Sequence, residues 1–70
     1  MATKVDLVQT LEAHVDQTSL LDVLVALGSM CHEKAEHMRV NWQDYSTAKA
    51  WESAARAVEK AAQKASDLSL

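Results

Sequence analysis

With no proline and a single glycine, Gly28, among seventy residues, this chain has almost no means of interrupting a helix. Apolar residues then recur every three or four positions. Leu7, Val8, Leu11 and Val15 do so first, behind a Thr3 and Asp6 pair spaced as in a capping box. Leu20, Leu24, Leu27, Cys31, Ala35 and Met38 form a second stripe behind Ser19 and Asp22, another N-cap signature. Ala48, Trp51, Ala55, Val58, Ala62 and Ala65 form a third, with the alternating spacing of a coiled-coil seam. The reading is all-α and single-domain, with a short helix over about residues 4–15 and longer ones over about 19–39 and 42–66.

Asp16 to Ser19 is polar and turn-like. Around Val40 to Asp44 the register fails: Leu24, Cys31, Met38 and Tyr45 are seven apart, but Glu52 would come next and the third stripe uses Trp51. A break there makes the longer helices an antiparallel hairpin rather than one continuous rod. Asn41 and Asp44 both qualify as the cap of the third helix, and Ser66 to Leu70 is expected to fray. Gly28 inside the second helix costs about 1 kcal/mol relative to Ala, so its presence is read as a point of close helix approach.

The core available to such a hairpin is small. A chain of this length buries only about 60% of the surface its unfolded form exposes. Of the 49% hydrophobic residues much is alanine, and there is no Phe. Cys31 is the only cysteine, so no disulfide within the chain can compensate. The start of the second helix is apolar nearly all round, through Leu20, Leu21, Val23, Leu24, Val25 and Leu27. That surface is too broad for one neighbour, and the six residues are expected to form a homodimer interface.

A formal charge of -3 and a pI of about 5.4 argue against a nucleic-acid binder. The charge is uneven: an acidic front half (Asp6, Glu12, Asp16 and Asp22 against Lys4) precedes a mildly basic end carrying Lys49, Arg56, Lys60 and Lys64. The longest apolar run, Leu20 to Gly28, contains Asp22 and falls far short of the roughly 20 residues a bilayer requires. With no recognisable secretory segment and one unpaired thiol, the expected compartment is the cytoplasm.

Functional groups crowd into Cys31-His32-Glu33-Lys34-Ala35-Glu36-His37. On a helix His32 faces Glu36 and Glu33 faces His37, so each pair offers a metal two ligands. The pairs point about 100° apart and do not converge on one ion. The first helix offers Glu12 and His14. The plainer reading makes all four residues solvated pairs, with metal or redox binding as the alternative function. Cys31 lies on the apolar stripe and reads as a small core hydrophobe. Cys31, His37 and Asp44 form a nominal triad without a pocket to work in, and there is no glycine-rich phosphate loop. Neither an enzyme nor a cofactor is expected.

The only aromatics, Trp42, Tyr45 and Trp51, cluster around the hairpin turn. Trp51 reads as a core knob. Trp42 and Tyr45 either plug the hairpin end or, with Arg39, anchor another protein, since Trp, Tyr and Arg dominate interface hot spots. The expected function is a non-enzymatic, cytoplasmic, self-associating interaction module, of a size that suits a microbial or phage accessory protein. Nucleic-acid binding is a second, weaker alternative.

Overall fold

The computed structural model describes residues 4–70, which form three helices in chain order, α1 (Lys4–Gln17), α2 (Leu20–Val40) and α3 (Tyr45–Asp67). The capping role read for Thr3 lies outside the described residues. Ser19 caps α2, its hydroxyl accepting from the Asp22 N–H at 3.0 Å. Thr18 closes α1 by donating both its N–H and its hydroxyl to the His14 carbonyl. The connection is two residues long because both ends are satisfied locally.

The third helix starts later than residue 42, for a reason visible in the hydrogen bonds. Asn41 ends α2, its N–H donating to the His37 carbonyl at 2.9 Å. Gln43 takes a left-handed conformation with φ of 51°, which brings the Asp44 N–H to 2.9 Å from the Met38 carbonyl. Asp44 then caps α3. Its carboxylate accepts from the Thr47 hydroxyl at 2.7 Å and the Thr47 N–H at 3.1 Å. These two bonds, the hydroxyl first, hold the Asp44 carboxyl below the usual carboxylate range.

α2 and α3 pack against each other and run antiparallel, with Leu20 opposite Leu70, Gly28 opposite Val58 and Glu59, and Arg39 opposite Glu52. A continuous rod is therefore excluded. The seam is made of small residues: Gly28, Cys31 and Ala35 on α2, and Ala48, Ala55, Ala62 and Ala65 on α3. Among the described residues no side chain larger than cysteine is buried. Small side chains bring the two backbones close, but each contributes little apolar area, so the hairpin core is thin.

Two expectations are corrected here. The seam has room at Gly28: a Cβ there would lie 3.6 Å from Glu59 Cγ and 3.9 Å from Val58 Cγ1, ordinary van der Waals distances. Close approach does not require the glycine. Nor does the end of the chain fray. Ser69, at φ 59°, donates to the Ser66 carbonyl, and the Leu70 N–H donates to Ala65 at 2.9 Å, the double bond of a Schellman motif. The Leu70 carbonyl then accepts from the Leu20 N–H at 2.8 Å and the Leu21 N–H at 3.5 Å. The end of α3 thus satisfies two of the free donors at the start of α2.

α1 does not join the hairpin core. It touches α2 and not α3, and it contains no buried residue. The backbone spans 38 × 33 × 15 Å, whereas two helices packed at 8–10 Å need only about 14 Å of width. α1 accounts for the extra breadth by projecting sideways from α2. The radius of gyration, 13.8 Å, correspondingly exceeds the roughly 11 Å of a compact 70-residue domain. No described helix is long and apolar enough to cross a membrane.

Candidate interaction surface

Two grooves flank α2. One, of about 420 Å³, lies between α1 and α2; Leu11 and His14 form its α1 wall, and Val23, Ala26, Leu27 and Met30 its α2 wall. The other, of about 400 Å³, lies between α2 and α3, where Leu21, Leu24, Val25 and Gly28 meet Ala62 and Gln63. The six residues read as one interface are therefore divided. Leu21, Leu24 and Val25 belong to the second groove and Val23 and Leu27 to the first, while Leu20 lines neither. All six are half-buried except Val25, which is exposed. Sequence periodicity shows that the start of α2 is apolar nearly all round but not where α3 cuts that surface in two.

What the sequence reading passed over is α1. It carries an apolar stripe, yet Val5, Leu7, Val8 and Leu11 remain 65%, 54%, 47% and 37% exposed. Only Val15, near the junction with α2, is half-buried. The signal was present in the i, i+3, i+4 spacing. Its consequence was hidden, because the direction in which a short helix leaves a two-residue turn is a tertiary property.

At the other end of the hairpin, Arg39 pairs with Glu52 across the seam and with Glu36 at 3.3 Å on its own helix. Trp42 and Tyr45 are both exposed beside Val40. The Trp42 indole N–H donates to His37 Nε2 at 3.1 Å, with the rings edge to face. His37 Nδ1 lies 2.7 Å from the side-chain amide nitrogen of Asn41. Arg39, Trp42 and Tyr45 thus sit at one end of the molecule, with Arg39 tied down and the two rings presented to solvent.

The polar cluster on α2 is distributed differently from the pairs expected of it. His32 Nε2 lies 2.9 Å from Glu59 Oε1 on α3, and both ring nitrogens of His37 face Asn41 and Trp42. Among the described residues no three His, Cys, Asp or Glu side chains come together as a metal site. Cys31 is buried in the seam, and Asp44 is occupied in capping α3. The nominal triad of Cys31, His37 and Asp44 is therefore spread over three separate environments. Comparison of the chain with family models, with curated proteins and with solved structures gives no match.

Proposed function

We propose that this protein is a non-catalytic helical interaction module that associates with itself through α2 and presents the Trp42 turn to another protein. The supporting observation is surface area. The chain exposes 5396 Å², against about 4,300 Å² for a folded monomer of its mass. The excess, about 1,000 Å², is comparable to one partner's share of a standard protein interface, about 800 Å². A helical layer whose apolar side chains are half-buried or exposed gains stability by acquiring a second layer. The reducing cytoplasm suits its single thiol.

Sedimentation equilibrium at micromolar concentration tests the reading. The expected mass is twice the 7.7 kDa of the chain; a monomer throughout that range rejects self-association. Trp42→Ala and Tyr45→Ala should leave the assembly mass unchanged, because their surface lies at the far end of the hairpin. Loss of the dimer in either variant would place the turn within the self-association surface instead of reserving it for another protein.

A further inference from the structure

We propose that α1 is the docking arm of the dimer, lying in the α1–α2 groove of a second copy of this chain while that copy's α1 lies in the groove of the first. The inference rests on the self-association reading and specifies which surface carries it. Three features lead to α1. It is 14 residues long, at the length where an isolated helix is only marginally stable in water, and so needs a packing partner along its length. It touches no element but α2. Its Leu7, Val8 and Leu11 stand on one face as exposed large apolar side chains, with Val5 exposed beside them.

The second copy is the occupant that fits, because ridge and groove adjoin on the same surface. The stripe on α1 stands next to a groove walled by Leu11, Val23, Ala26, Leu27 and Met30, so a two-fold axis can place each stripe in the other's groove with one set of residues. Two α1 and two α2 helices then form a four-helix core, with each α3 outside it on the far side of its own α2. The surface excess of about 1,000 Å² per chain matches what one copy must bury in a standard interface. His14, Thr18 and Asp22 bring polar groups to the α1–α2 groove as well, but the α2–α3 groove is the poorer candidate because the His32 to Glu59 pair across it would have to be desolvated.

Sedimentation equilibrium of the full chain sets the baseline. Leu11→Glu and Met30→Glu, on the two walls of the groove, are each expected to weaken dimerisation about tenfold or more. Val25→Glu, in the α2–α3 groove, should change it by no more than about twofold. All three positions are exposed, so the variants keep the hairpin, which far-UV circular dichroism checks. Contact is read directly from a mixed sample, one copy spin-labelled at Gln9→Cys in a Cys31→Ala background and the other isotope-labelled. Broadening of the Val23, Ala26 and Leu27 amides in the unmodified copy is the expected result. A wild-type dimer that survives Leu11→Glu and Met30→Glu, or shows no such broadening, overturns the docking role of α1 while leaving self-association intact. A wild-type monomer overturns both and assigns the groove to a different occupant.

Discussion

Replacing Gly28 by alanine should stabilise the protein. Gly28 is buried in the middle of α2, and its backbone is helical with no positive φ. A glycine there costs about 1 kcal/mol relative to alanine through the entropy of the unfolded chain. The added methyl meets Glu59 Cγ at 3.6 Å and Val58 Cγ1 at 3.9 Å, which fills space without displacing either neighbour and contributes up to about 0.8 kcal/mol more. The expected gain is about 1–2 kcal/mol against a total stability of roughly 4–10 kcal/mol for a chain of this length. In the melting temperature this is a rise of about 5–10 °C. Urea unfolding followed by far-UV circular dichroism, at matched protein concentration because assembly shifts the midpoint, measures it. The midpoint should rise and the m-value should not change. Gly28→Leu supplies the contrast, since its longer side chain would have to push past Glu59 and Val58 and should destabilise by about 1–3 kcal/mol. If Gly28→Ala is neutral or destabilising, the helices are closer than described and the glycine is a true contact point.

Other substitutions test the remaining features. Ala55, with 0% of its surface exposed at the centre of the seam, should lose about 1–3 kcal/mol on replacement by Leu, read as a lower urea midpoint. Ser69→Gly should gain about 0.5–1 kcal/mol, because a left-handed serine costs about 1–2 kcal/mol, part of which glycine returns to the unfolded chain; thermal melts resolve it. The Asp44 carboxyl is held below its ordinary value by Thr47, so its contribution is complete above the unfolded-state value and disappears as pH falls through the lower folded-state value. Asp44→Asn keeps the cap but should flatten the acid limb of a stability-versus-pH curve; an unchanged limb would contradict the Thr47 assignment. Arg39→Ala should cost no more than about 1 kcal/mol, since its pairs with Glu36 and Glu52 are partly exposed, and a larger loss in urea titration would mean the pair is drier than it looks.

Helix content was legible in the residues because it depends on local rules: no proline, alanine-rich stripes at helical spacing, and Ser19 in a capping position, whereas the choice between Asn41 and Asp44 as the cap of α3 was left to the structure. The α3 seam of Ala48, Ala55, Ala62 and Ala65 followed from periodicity alone. Even the hairpin followed from the lost register near Trp42. Three features depended on tertiary geometry. Ser69 took the left-handed position that glycine usually marks, and the Leu70 carbonyl reached the start of a helix fifty residues earlier in the chain; no local pattern encodes that reach. Gly28 proved to have a methyl's worth of space, a matter of how Val58 and Glu59 pack across the seam. The apolar start of α2 is divided between a groove shared with α3 and one shared with α1, because the two-residue turn at Thr18 and Ser19 sends α1 away from α3. Local sequence decides which residues can face a core. Only the arrangement of helices decides which of them find one within the chain, and α1 does not.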